Sequence, residues 1–427
     1  MKKFEKYSCQ KFSEETYCDF GNAIEERRWY QHDIDQIVYS TYFRKLQRKY
    51  QLISEKDPRC RSRMVHTLEV SRIAKEISEK LGLNVELTEG IALAHDIGNT
   101  AFGAVSNNIL EEKTDGRFQH EDAGYLMLKC ICQKEINNKE IENKVVNATK
   151  EDRSKVAVID IDEFYPHRFE TYRIGTKKYY TCICGEILDG VRKHGTKYDA
   201  YTLEGQVVSF ADNISYISQD IGDLISIGLL NDEKLDEFVA LRNCELWLDK
   251  KIYSWAEINK GSEVDLRHVF SQSSSERIGT LIKRYLDYNQ TRTLKKKIHS
   301  PFLGEKIPIL KMDKGLKIVI DYLWEYTQGF YQENLIKNFN LEVMCRITLL
   351  WNILSDPMFQ EMNEGYKEFY KRYENPIFKS YFAEKGWEED SLEKWKRAYF
   401  ISALSCDEIE TIIDMYQQRD YTFQLDL

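Results

Sequence analysis

Proline is scarce in this chain, 6 in 427 residues, and glycine numbers only 21. So few breakers favour long helices. No apolar run approaches the roughly 18 residues that cross a membrane. The opening MKKFEKYSCQKFSEE holds no apolar core of leader length, which makes the cytoplasm the expected location. Walker A, dinucleotide-binding glycine and Gly-x-Ser-x-Gly patterns are all missing, and no internal repeat is visible. Positive charge is in deficit: the formal net charge is −9, so the overall field does not draw in nucleic acid. Cysteine is not scarce, with ten, but the pairs Cys130-Ile-Cys132 and Cys182-Ile-Cys184 have the wrong spacing for a zinc ribbon. Their apolar neighbours, Leu126 to Leu128 and Ile131 among them, make them small buried hydrophobes of a reducing compartment.

Apolar residues make up 42% of the chain and charged residues 31%, a globular profile long enough for one large or two ordinary domains. Helical periodicity is strong at 33–47, 64–81, 84–95, 118–132, 186–194 and 203–230. On 64–81 the apolar face reads Val65, Leu68, Val70, Ile73, Ala74 and Ile77, and Gly82 follows as a stop. Residues 1–29 are polar and aromatic, helical from about residue 14, and 53–61 is a loop. Residues 103–116 read as looser chain, and 133–155 as a solvated helix or loop. Residues 156–164 alternate like a strand and pair with 171–183, a small β insertion. From 231 to 427 amphipathic helices follow one another, rich in Tyr and Trp.

The chain is organised around Ile91-Ala-Leu-Ala-His95-Asp96-Ile-Gly98. An imidazole and a carboxylate inside an apolar segment need a partner, because unpaired buried polar groups cost roughly 2–7 kcal/mol. A metal is one partner and a salt bridge another. His66 lies in the first turn of one predicted helix, His95-Asp96 ends a second and Asp212 lies on a third. Two imidazoles and two carboxylates form a mixed N/O set suited to Mn, Mg or Fe with positions open for water or phosphate. Asp212, Tyr216, Asp220 and Asp223 run along one stripe of the third helix, where like charges repel unless a cation or donors face them.

Over roughly 27–285 the sequence resembles the HD-domain deoxynucleoside triphosphate triphosphohydrolases, the dGTPase-like proteins of the shorter bacterial branch. The resemblance rests on Phe43-Arg-Lys-Leu-Gln47, Arg61-Ser-Arg-Met-Val-His66, His95-Asp-Ile-Gly98, Thr202-Leu-Glu-Gly-Gln-Val-Val208 and Ala211-Asp-Asn-Ile-Ser-Tyr216. It implies an all-α fold, with an HD core over 1–285, a small β-hairpin insertion about 156–183, and a helical region, 286–427, packed on the core. It implies one divalent metal, Mn, Mg or Fe, on His66, His95, Asp96 and Asp212. Gln47, Tyr216 and Asp220 match deoxyribose contacts, Arg63 a triphosphate contact and His120 a catalytic histidine. The reaction implied is attack of water on the α-phosphorus of a deoxynucleoside triphosphate, dGTP first, giving deoxynucleoside and triphosphate. A homo-oligomer without membrane or nucleic-acid partners goes with it.

The family pattern His-Asp-x-Gly-His-x-Pro-Phe-Gly-His-x-x-Glu/Asp is altered here. Asn99, Ala101, Ala104 and Asn107 replace the second histidine, the proline, the third histidine and the acid, and Gln219 replaces a frequent histidine before Asp220. Asn107 therefore holds the position of a catalytic acid. Alanine offers a phosphate no donor, and asparagine takes no proton at neutral pH. General acid–base help is worth about 10²–10⁴-fold. Three expectations remain open: a hydrolase of deoxynucleoside triphosphates, a hydrolase of another nucleotide, and a weak or silent nucleotide-binding regulator.

Overall fold

The computed structural model describes the chain outside residues 1, 10–28, 52–59, 132, 137–170, 175–176, 182, 197, 227, 229–244, 249–250, 267–268, 270–271, 331–333 and 420–427. The helical expectation for residues 14–28 and the strand expected at 156–164 lie outside the described residues.

Three helices frame the centre. α3 (Arg63–Leu81) opens at Ser62, whose hydroxyl accepts from the Val65 amide, and buries His66, Val70, Ile73, Ala74 and Ile77 along one stripe. Val65 and Leu68, expected on that face, are exposed. α4 (Val85–Ala94) is capped by Asn84 and apolar from Gly90 onward; Leu87, Ile91, Ala92 and Ala94 are fully buried. α8 (Leu203–Ser226) packs on α3, α4 and α7 (Gly185–Lys193). Each fully buried Leu or Ile side chain in this centre contributes about 1.5–3 kcal/mol by leaving water.

The segment expected as one helix over 33–47 is broken. α1 (Trp29–Val38) ends before Ser40, whose hydroxyl donates to the Ile37 carbonyl and accepts from the Phe43 amide to start α2 (Thr41–Lys45). A serine capping two helices at once turns the chain where periodicity alone runs on. A 3-10 turn, Leu46–Arg48, follows. The looser stretch at 103–116 contains a helix, α5 (Gly103–Lys113). Its apolar positions are few because it presents only Ser106, Ile109 and Leu110 to the core beyond its first turn. α6 (His120–Ile131) lies beside it in sequence.

Two glycines bring the site helices together. A Cβ at Gly98 would run into the His120 carbonyl and the Gly124 backbone, so the loop after Asp96 lies directly on the first turn of α6. A Cβ at Gly190 would stand 2.7 Å from Ile91 Cγ2, so α7 packs tightly on the Ile91 side chain of α4.

The β structure is larger than expected. β1 (Gln133–Ile136), in the stretch read as helix or loop, pairs with β3 (Lys177–Thr181), and β3 pairs with β2 (Thr171–Ile174). Residues 171–181 thus form a hairpin of their own. Two more hairpins interrupt the region read as wholly helical: β4–β5 (Glu245–Leu248, Lys251–Ser254) and β6–β7 (Lys297–Ser300, Glu305–Pro308). Paired extended strands satisfy their backbone groups across the ladder and leave no helical period to read. The class remains all-α.

Between the later hairpins come α9 (Trp255–Ile258) and α10 (Ser274–Thr291); beyond them come α11 (Lys314–Phe330), α12 (Asn334–Ile353), α13 (Pro357–Met362), α14 (Glu364–Lys371), α15 (Pro376–Lys385), α16 (Glu389–Ser402) and α17 (Cys406–Gln417). Asp122 in the first turn of α6 accepts from Tyr381 Oη at 2.8 Å, Lys385 Nζ at 2.9 Å and Arg192 Nε at 2.8 Å, joining α6, α7 and α15. Lys49 Nζ donates to the carbonyls of Asn99 and Ser402 at 2.6 and 2.7 Å, tying the loop after Asp96 to the end of α16.

Candidate metal and nucleotide site

The structure brings His66, His95, Asp96 and Asp212 together. His66 Nε2 stands 3.0 Å from Asp212 Oδ1 and 3.7 Å from Asp96 Oδ2. His95 Nε2 lies 3.5 Å from Asp96 Oδ1 and 3.7 Å from Asp212 Oδ1. Ligand atoms of His66, His95 and Asp96 all lie within 4.8 Å of one another, a spacing that a single ion can bridge. His66, His95 and Asp96 are buried, whereas a quarter of the Asp212 side chain is exposed, so solvent reaches the cluster from the α8 side.

Local structure sets the donors. His95 closes α4, and its Nδ1–H donates to the Ala92 carbonyl at 2.6 Å, one turn back. A carbonyl only accepts, so the Nδ1 proton is fixed, and Nε2 carries the lone pair whenever the ring is neutral. That Nε2 is buried with no hydrogen-bond partner. Burial disfavours the charged ring, but Asp96 and Asp212 outweigh it and hold the His95 pKa up at about 9. For His66 burial prevails over Asp212 and Asp96, and its pKa falls below the usual value. The two carboxylates resist burial: Arg63 and the histidines keep Asp96 low, and His66 and His95 keep Asp212 low. A cluster with two ionised carboxylates and an attracted proton is a cation site by charge.

The other expected residues fall around it. Arg63 Nη1 donates to Asp96 Oδ2 at 3.0 Å, while its Nε is buried without a partner. Asn107 Nδ2 donates to Asn99 Oδ1 at 2.7 Å, and Asn99 Nδ2 to Asp96 Oδ1 at 2.5 Å. Thr100 donates to Asn107 Oδ1 from its amide at 3.2 Å and its hydroxyl at 2.8 Å. Both asparagines are thus wired into a chain that ends on Asp96. His120, at the start of α6, faces His194 Nε2 with its own Nε2 at 3.3 Å.

The sugar-side expectations meet mixed geometry. Asp220 follows Asp212 by two turns of α8, about 12 Å along the axis, and is fully buried. Its Oδ1 is taken by Arg61 Nη2 at 2.6 Å; its Oδ2 has no partner. Burial raises the Asp220 carboxyl to about 8, against the pull of Arg61. Gln47 is exposed on the 3-10 turn Leu46–Arg48. Tyr216 lies on α8 one turn after Asp212, and its side chain is outside the described residues.

Sequence reasoning missed three contributors. Arg61 reaches Glu69, Asp220 and Asp223 at 2.7, 2.6 and 2.9 Å, and is the donor that the acidic stripe required. Lys49 holds the loop after Asp96. His194 closes α7 and lies edge-on to both His95 and His120, with ring centroids 5.1 and 5.3 Å away. Its only sequence signal was a histidine at a helix end.

Residues 63–217, which run from α3 into the first half of α8, match the HD domain family model. The chain is also similar to proteins named deoxyguanosinetriphosphate triphosphohydrolase-like protein. The one from Caldanaerobacter subterraneus is 33% identical over 52% of this chain and 51% of its own. The one from Clostridium tetani is 30% identical over 61% and 57%, and the one from Sinorhizobium medicae 31% over 50% and 50%. The chain spans about half the length of the curated relatives it matches. The dGTPase-like resemblance read from the motifs is thereby borne out. No helix among the described residues is long and apolar enough to cross a membrane.

Proposed function

We propose that this protein is a metal-dependent nucleotide phosphohydrolase that cleaves deoxynucleoside triphosphates, dGTP first, into deoxynucleoside and triphosphate. The observation that carries the reading is the buried convergence of His66, His95 and Asp96 with Asp212 at their open side. The donor set fits a divalent Mn, Mg or Fe ion, because His95 Nε2 is buried without a hydrogen-bond partner beside two ionised carboxylates, where an ion would replace the proton they attract. When bound, such an ion polarises a phosphoryl oxygen and makes bound water more acidic.

The chain's own residues divide the remaining work. The Ala92 carbonyl orients His95. Arg63 and Asn99 hold the two oxygens of Asp96 in place, and the unpartnered Nε of Arg63 is a donor for phosphate. Asp220 Oδ2 and Gln47 are the groups offered to a sugar hydroxyl, and an analogue lacking that hydroxyl would leave the buried Asp220 Oδ2 without a partner, while Oδ1 stays on Arg61. His120, a quarter exposed, is the proton carrier that remains where the family pattern has others. A homo-oligomer belongs to this reading.

One observation favours a second reading. Asn99 and Asn107 spend their hydrogen-bonding groups on each other, on Thr100 and on Asp96, which suits a silent nucleotide-binding relative. Incubation with Mn(II) and a panel of nucleotides, followed by chromatography of the products, separates the two. Deoxynucleoside and triphosphate are expected. Saturable nucleotide binding with no product from any deoxynucleotide would overturn the hydrolase in favour of the regulator.

A further inference from the structure

Arg61 stands just before Ser62, the cap of α3, and divides its guanidinium among three carboxyls. Nη2 donates to Asp220 Oδ1 at 2.6 Å, Nε to Asp223 Oδ2 at 2.9 Å and Nη1 to Glu69 Oε2 at 2.7 Å. Asp220 and Asp223 lie one turn apart on α8, and Glu69 lies on α3. The backbone on both sides of this contact is pinned. The Arg61 carbonyl accepts from the Gln51 amide at 3.3 Å, and Arg277 of α10 donates to the Ser218 carbonyl of α8 at 2.9 Å.

An ion pair that served only to join α3 to α8 would engage both oxygens of a buried carboxylate, because a buried acceptor left open costs stability. Asp220 departs from that pattern. It is fully buried, its Oδ1 is engaged, and its Oδ2 has no hydrogen-bond partner among the described residues. In a free aspartate the carboxylate plane turns easily about the Cβ–Cγ bond. Here the bond to Arg61 stops that rotation. The guanidinium is a rigid planar fork, and Glu69 and Asp223 fix its other two nitrogens, so Nη2 has one direction left. Oδ2 then presents its lone pairs in one direction too. Burial raises the Asp220 carboxyl, and Arg61 and Arg63 pull against it; Arg63 also holds Asp96. Asp220 is thus within electrostatic reach of the residue that orients it and of the residue beside the metal cluster.

We infer that Arg61 is the positioning residue for sugar recognition: by fixing the plane of the Asp220 carboxylate it makes Oδ2 a selective acceptor for the ring hydroxyl of a deoxynucleoside triphosphate. This rests on the nucleotide reading above and adds the residue that sets its discrimination between sugars. Arg61 acts through Asp220 and not on the substrate itself.

The test is kcat/KM with Mn(II) for dGTP and for 2′,3′-dideoxy-GTP, which lacks the hydroxyl of the deoxyribose ring; Kd for each takes its place if neither is cleaved. The wild type is expected to prefer dGTP by at least about a hundredfold, since the analogue leaves a buried acceptor unpaired. Arg61→Lys keeps the charge but cannot hold three carboxyls in one plane, so the preference should fall about tenfold or more, most of it lost from dGTP. Glu69→Gln removes one hold on the guanidinium at a partly exposed position and should lower the preference by a smaller factor. Thermal unfolding confirms that each variant is folded, and Glu69→Gln decides if Arg61→Lys is not. Equal losses on both nucleotides, or an unchanged preference in a folded variant, mark Arg61 as a structural bolt and overturn the inference while the nucleotide reading stands. A wild type that handles both nucleotides alike removes Asp220 from the sugar site and overturns it as well. A wild type that neither cleaves nor binds either one overturns the nucleotide reading itself, and the inference with it.

Discussion

Asn107 Nδ2 lies 2.7 Å from Asn99 Oδ1, so the residue that stands in the position of an acid is a hydrogen-bond donor to its neighbour. Asn99 passes the contact to Asp96. The amide groups thus orient a candidate metal ligand where the dGTPase-like pattern has proton carriers.

Asn107→Asp replaces that donor by an acceptor. Two oxygens then face each other, and Asn99 cannot turn its amide without presenting an oxygen to Asp96. A loss of about 1–3 kcal/mol of stability is expected, read as a lower urea midpoint with an unchanged slope. Stability equal to wild type would mean that the chain of amides reorganises freely.

Divalent metal should stabilise the fold through the first cluster. At a Mn(II) concentration 100 times its dissociation constant the gain is about 2.7 kcal/mol. It should be absent in His66→Ala and Asp212→Ala, whose cores otherwise stay intact. Thermal unfolding with and without Mn(II) measures this. An equal rise in the Asp212 variant would remove that carboxylate from the site.

Arg61 faces three carboxyls, the buried Asp220 and Asp223 and the half-buried Glu69, and Asp220 has no access to solvent. Removing one partner of a buried ion pair costs roughly 3–5 kcal/mol. Arg61→Met is expected to lose that much, and the double variant Arg61→Met, Asp220→Asn to recover part of it. Denaturant unfolding of the single and double variants decides. No recovery would show that the arginine acts chiefly through Glu69 and Asp223.

Burial pulls the Lys49 pKa down to about 7. A depressed lysine penalises folding below about pH 7, where it must be charged, and the penalty fades as the pH climbs toward the unfolded value of about 10.4. The wild type should therefore gain on Lys49→Met by on the order of 2 kcal/mol between pH 6 and pH 9. Unfolding free energies at both pH values test the sign. A constant difference would mean that the carbonyls of Asn99 and Ser402 keep the ammonium charged throughout.

The sequence by itself determined the helical class and the helices that carry the first cluster. The apolar residues of α3, α4 and α8 recur at helical spacing, and His66, His95, Asp96 and Asp212 stand at set places in that period. Periodicity is local, so it is legible without the fold. Tertiary structure alone decided the rest. The turn at Ser40 depends on one hydroxyl bonded both ways, and the hairpins depend on cross-strand pairing that no helical period reveals. Arg61 meets Asp220 across 159 positions, and His194 meets His120 across 74. Gly98 lets the loop after Asp96 lie on the backbone of α6, and Gly190 lets α7 close on the Ile91 side chain; steric contact between distant segments is written in no single stretch of chain.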